Sequence, residues 1–92
     1  MDLSLRLDTL LNLAEDLGIE VRAEPMGGSG GGICRLRGQR VLFVDTDADL
    51  ATRYDRTLIA MATLSDLDDK FIIPEIRADI DRQRQNKGKT AP

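Results

Sequence analysis

Three groups of residues carry chemistry by their type and spacing. The first is the run Gly27-Gly28-Ser29-Gly30-Gly31-Gly32, whose successive main-chain amides, unobstructed by side chains, could wrap an anion. Gly28, Ser29, Gly30 and Gly31 are its candidate contacts, and Arg35, Arg37 and Arg40 follow closely enough in sequence to add guanidinium charge to a small-ligand or anion site. The second group is Asp45, Asp47 and Asp49, alternate carboxylates that offer oxygen ligands to a divalent cation. The third is the single cysteine, Cys34.

Each pattern is incomplete as a known device. A phosphate-binding P-loop needs Gly-x4-Gly-Lys-Ser/Thr, and Gly27 and Gly32 have that spacing, but Ile33 stands where lysine belongs. A dinucleotide fingerprint begun at Gly28 and Gly30 also reaches Ile33 at its last glycine, and the run leads into a strand where both motifs require a helix N-terminus. As a calcium loop, Asp45, Asp47 and Asp49 occupy positions one, three and five, yet Leu50 replaces the glycine and Arg56 the bidentate glutamate. The bland reading of these acids is helix capping, and that of the arginines is pairing with Glu20 and Glu24 or simple solvation. The chain contains no histidine, which excludes histidine-dependent zinc hydrolysis and Ser-His or Cys-His nucleophilic catalysis. The acids lack the separation and differing environments that acid-base work needs. Nothing in the residues implies a cofactor, and the expectation is a protein that is not an enzyme.

Three resemblances attach to these residues. Val41-Leu42-Phe43-Val44 followed by Asp45-Thr46-Asp47 resembles the opening motif of haloacid-dehalogenase-type phosphatases, which would imply a nucleophilic Asp45, an acid-base Asp47 and Mg²⁺; Asp49 departs from that pattern, and 92 residues are too few for the family's parallel-sheet scaffold. The order Leu17-Gly18-Ile19-Glu20-Val21, glycine-bearing loop, hairpin and helix resembles the front half of the ImmA/IrrE metallopeptidase domain. That family carries His-Glu-x-x-His on the helix after the sheet, where this chain has Arg56-Thr57-Leu58-Ile59-Ala60, so no peptidase residue is carried over. Gly32 to Asp49, with Cys34-Arg35-Leu36-Arg37-Gly38 running into Val41 to Asp47, is similar to short uncharacterised bacterial proteins, which implies a cytoplasmic bacterial origin and no activity.

The elements that must position these residues follow from apolar periodicity. Leu3, Leu7, Leu10, Leu11, Ala14 and Leu17 recur at three- and four-residue steps and predict a helix, stopped at Gly18 with Ile19 folding back on Ala14. Ile19, Val21 and Ala23 alternate with Glu20, Arg22 and Glu24 as a strand ended by Pro25. Ile33 to Arg37 and Arg40 to Asp45 predict a hairpin turning at Gly38-Gln39, in a register that sets Leu36 by Val41 and Cys34 by Phe43 on the side expected to face the core. Leu50, Tyr54, Leu58, Met61 and Leu64 mark a second helix, with Arg53, Asp55 and Arg56 on its wet side. Pro74 opens a third on Ile76 and Ile80, anchored by Phe71, Ile72 and Ile73. The fold expected is α+β, a two-layer helix-β-β-β-helix-helix domain with a mostly antiparallel three-stranded sheet over residues 1–81.

Charge and composition bound the partners. Of 13 basic and 16 acidic residues, Arg82, Arg84, Lys87 and Lys89 lie in an acid-free stretch, 82–92, expected to be a basic disordered tail; the body then has 9 basic against 16 acidic groups, a net of -7. An acidic body with only Phe43, Tyr54 and Phe71 as aromatics argues against nucleic acid. Val41 to Val44, like every other apolar run, is too short for a membrane span or a signal segment, and a lone cysteine forms no internal disulfide, so a cytoplasmic protein is expected. A complete apolar pattern with no converging catalytic set points to a small interaction or structural module acting through a protein surface. An open sheet edge is its natural place for a protein partner or a homodimer.

Overall fold

A computed structural model describes residues 1–89. The order is α1 (Leu3–Asp16), β1 (Glu20–Glu24), β2 (Gly32–Leu36), β3 (Gln39–Asp45), α2 (Leu50–Ala62), a 3₁₀ turn (Ser65–Asp69) and α3 (Pro74–Lys89), the α+β arrangement the periodicity predicts. Asp2 caps α1 by accepting from the Leu5 amide, at 2.8 Å. Its other end closes as a Schellman stop, in which the Ile19 amide donates to Ala14 O at 3.0 Å and the Gly18 amide to Glu15 O at 2.9 Å. No helix among the described residues is long and apolar enough to cross a membrane.

The sheet is mixed, with strand order β1-β3-β2. β1 lies parallel to β3, pairing Val21 with Leu42 and Ala23 with Val44, while β2 and β3 form the antiparallel hairpin. The hairpin turns one residue earlier than expected. Arg37 and Gly38 hold φ of 52° and 80°, the two positive values of a type I′ turn, whose twist matches that of the strands it joins. Leu36 therefore pairs with Gln39, Arg35 with Arg40, Cys34 with Val41 and Ile33 with Leu42.

The sheet face turned to the helices is the opposite of the one expected. Leu42, wholly buried, joins Leu7, Leu10, Ala14, Tyr54, Leu58, Met61, Ile76 and Ile80 in the core, with Val21 and Ile33 packed against it. The cause lies in β1. Its parallel register places Glu20, Arg22 and Glu24 beside Val41, Phe43 and Asp45, and a strand face with three charged side chains belongs in water. Cys34 shares that outer face and is exposed, as is Leu36 at 43%. Labelling of the folded chain by a thiol reagent is accordingly expected at a rate comparable to the unfolded chain; strong protection of Cys34 in the native state would contradict this face assignment.

α1 packs on β1, and α2 on β2 and β3, over the same sheet face, while α3 packs behind them against α2 and α1. α3 continues past the expected boundary at Asp81. Arg84 reaches the C-terminal end of α2, donating from Nε to Ala62 O at 2.9 Å and from Nη2 to Leu64 O at 2.8 Å, so a cation meets the orphan carbonyls and negative dipole end there. The stretch 82–89 is thus helix, and Thr90 to Pro92 of the expected tail lie outside the described residues. Phe71, expected as an anchor, is 87% exposed, whereas Ile72 is buried.

Candidate functional site

The glycine run and the acids meet, and they meet each other. Asp45, at the end of β3 and 2% exposed, accepts the Met26 amide at Oδ1 (2.8 Å), the Asp47 amide at Oδ1 (2.9 Å) and the Gly30 amide at Oδ2 (2.9 Å). Asp47 accepts the Gly27 amide at 2.8 Å. The loop does wrap an anion, and the anion is the chain's own carboxylate. Gly30 must be glycine for this approach, because a Cβ there would stand 2.5 Å from the Met26 Cβ. On the carbonyl side Arg56 closes the loop onto α2, donating from Nη1 to Gly28 O at 3.1 Å and Gly30 O at 2.7 Å. Ser29 lies exposed between them.

Burial pushes the Asp45 carboxyl up, but the amides of Gly30, Asp47 and Met26 outweigh it and hold it below the ordinary value. Asp49 works apart from this cluster as the α2 cap, accepting the Thr52 amide at 2.8 Å. The three acids proposed as metal ligands therefore serve backbone amides, and among the described residues no group of three or more metal-ligating side chains is arranged around a common point.

The arginines do not converge on the loop. β2 leaves the glycine run at Gly32, and three residues of strand carry the chain about 10 Å before Arg35. Arg37 sits in the turn beyond, and Arg40, paired with Arg35 across the hairpin, bridges Leu17 O at 3.2 Å and the Asp66 carboxylate at 2.9 and 3.1 Å. The groups expected to share an anion thus lie at opposite ends of one hairpin. Arg56, read as a wet-side residue, is the guanidinium that touches the loop.

A second polar cluster escaped the sequence reading. Asp79, 7% exposed on α3, accepts from the Tyr54 hydroxyl on α2, from Arg6 on α1 at 2.7 Å and from Arg82 at 3.0 Å. Burial raises the Asp79 carboxyl, while the bonds from Tyr54, Arg6 and Arg82 together bring it below its ordinary value. Burial and the bond to Asp79 push the Tyr54 phenol up to about 12. The signal available in sequence was a tyrosine on a buried helical stripe, whose hydroxyl requires a partner. The cluster joins three helices, and its bonds tie α1, α2 and α3 together.

The sheet ends on β1 at one side and on β2 at the other, and the β2 edge is the one that adjoins an apolar groove. In a two-residue hairpin the Leu36–Gln39 pair is hydrogen-bonded, so bonding alternates and the main-chain N–H and C=O of Ile33 and Arg35 point away from β3. Among the described residues no strand lies beyond them. Beside this edge, between β2 and α2, runs a groove of about 250 Å³ lined by Gly31, Gly32, Ile33, Arg56, Ile59, Ala60 and Thr63. Ile59 stands 45% exposed at its rim. Comparison of the chain with protein-family models, curated proteins and solved structures finds no match.

Proposed function

We propose that this chain is a small non-catalytic interaction module that takes an extended protein segment onto the outer edge of β2. The observation that carries this reading is the coincidence, at one place, of outward main-chain hydrogen-bonding groups on Ile33 and Arg35 with an apolar groove rimmed by the exposed Ile59. Strand addition uses those two resources together, main-chain bonds for affinity and alternate side-chain contacts for choice of partner. No buried side-chain polar atom among the described residues lacks a partner. The anion-binding reading is disfavoured because the Met26, Gly27 and Gly30 amides already donate to Asp45 and Asp47.

Selection of a displayed random-peptide library against the immobilised full chain, followed by amide-shift mapping of the enriched sequences, tests this. Binders are expected to move the amides of Ile33, Arg35 and Ile59. A library that yields no binder, or binders that map to α1 or α3, contradicts the proposal.

A further inference from the structure

We infer that the segment taken by β2 runs antiparallel to it and carries an acidic residue two positions before an aliphatic one. This rests on the β2-edge reading above and adds the chemistry of the partner. The outward groups of Ile33 and Arg35 define two hydrogen-bonded pairs with an incoming strand, and antiparallel addition is the more stable geometry per residue. Paired residues share a sheet face, so the residue opposite Arg35 comes first along the partner and the residue opposite Ile33 two later.

The surroundings of these two positions differ in kind. Arg35 is exposed and donates only to Gly38 O, at 3.3 Å. The guanidiniums of Arg6, Arg22, Arg40, Arg82 and Arg84 each have a carboxylate within 4.0 Å, and Arg35 is not among them. In a body that is acidic overall, an edge arginine of this kind selects a carboxylate opposite it. Ile33 instead lies in the groove with Ala60 and Ile59, so the residue opposite it gains by being aliphatic. Gly31 and Gly32 line the same groove, and a Cβ at Gly32 would meet nothing within 4 Å, which leaves room for the partner's backbone to approach.

The same reasoning argues against a second copy paired about Cys34. β2 paired with itself about Cys34 would set Ile33 opposite Arg35 in both halves. A guanidinium would then lie over the apolar groove, no carboxylate would reach Arg35, and two like charges would share one face.

The test uses the full chain, isotopically labelled, and capped peptides of sequence Ser-Thr-Glu-Thr-Ile-Thr-Ser, the same with Lys for Glu, and the order-reversed Ser-Thr-Ile-Thr-Glu-Thr-Ser. The first is expected to shift the Ile33 and Arg35 amides and to bind about fivefold more tightly than either control, and Arg35→Glu is expected to reverse the preference between Glu and Lys peptides. N-methylation of the peptide Ile is expected to abolish binding, whereas N-methylation of the Thr before it, whose N–H points away from β2, is not. Equal binding of all three peptides at Ile33 and Arg35 would overturn the acid-x-aliphatic pattern and leave the edge reading standing. Absence of any shift at these amides with every peptide, together with an empty library selection, would overturn both. Protection of the same amides that rises with protein concentration alone, with a dimer in sedimentation, would overturn the inference in favour of a second copy.

Discussion

Asp45→Ala is expected to lower the midpoint of thermal unfolding by roughly 10–20 °C. Its carboxylate is the common acceptor for the Met26, Gly30 and Asp47 amides, and alanine leaves all three without a partner in a part-buried setting where water replaces the lost bonds incompletely. Asp45→Asn separates the contributions. The amide oxygen can keep the two bonds made at Oδ1, but an NH₂ in place of Oδ2 confronts the Gly30 N–H with another donor. About half the loss is expected from asparagine, with exchange protection lost at Gly30 and kept at Met26. An unchanged midpoint and an unchanged Gly30 exchange rate in both variants would show that the loop is held by something else. Because the loop delivers Gly31 and Gly32 to the groove beside α2, its release is also expected to weaken any segment bound at the β2 edge.

Asp79→Ala is expected to destabilise the fold by about 2–3 kcal/mol, read from urea unfolding. The side chain gathers donors from all three helices, and its removal strands the buried Tyr54 hydroxyl; the partial exposure of Arg6 at 27% and of Arg82 at 65% keeps the loss below that of a fully enclosed pair. Against a total of about 5–14 kcal/mol for a chain of this length, that is a large fraction. Tyr54→Phe removes one hydroxyl and its bond and is expected to cost about 1 kcal/mol.

The same cluster gives the stability curve two shoulders. The folded Asp79 carboxyl lies below its ordinary 3.8, so its contribution is complete above that value and is lost as pH falls through the folded pKa. Asp45 and Asp66 are displaced in the same direction and steepen the acid side. The Tyr54 phenol is displaced from 10.0 up to about 12, so its contribution is complete below pH 10 and is lost between there and about 12. Tyr54 is the only tyrosine, and tyrosinate absorbance therefore follows this one group: titration near 12 in the folded chain and near 10 in the unfolded one is expected. A folded-state titration near 10 would mean that the hydroxyl is not buried against Asp79.

Much of the local structure was legible in the residues. The three- and four-residue apolar steps located α1 and α2, Asp47 and Asp49 stood as the two candidate α2 caps, of which Asp49 takes the role, and Gly18 with Ile19 marked the stop of α1, because each depends on side chains within one or two helical turns. The glycine run was recognisable as an amide-rich loop suited to a negative charge. That the charge is Asp45, fifteen residues beyond Gly30, was not, since nothing in the spacing distinguishes a ligand outside the chain from a carboxylate within it.

Alternation along β1 and β3 told which side chains share a strand face, and the composition told that the chain has enough apolar residues for one core. Only the tertiary structure decided which face of the hairpin meets the helices, through the parallel register that seats the charged side of β1 beside Val41 and Phe43. It alone brought Arg6 to Asp79 across 73 residues and left the main-chain groups of Ile33 and Arg35 without a neighbouring strand. The physical reason is the range of the forces involved: helix stripes, caps and strand alternation are satisfied within a few residues of chain, whereas strand pairing, buried ion contacts and open edges depend on which distant segment the burial of apolar surface brings alongside.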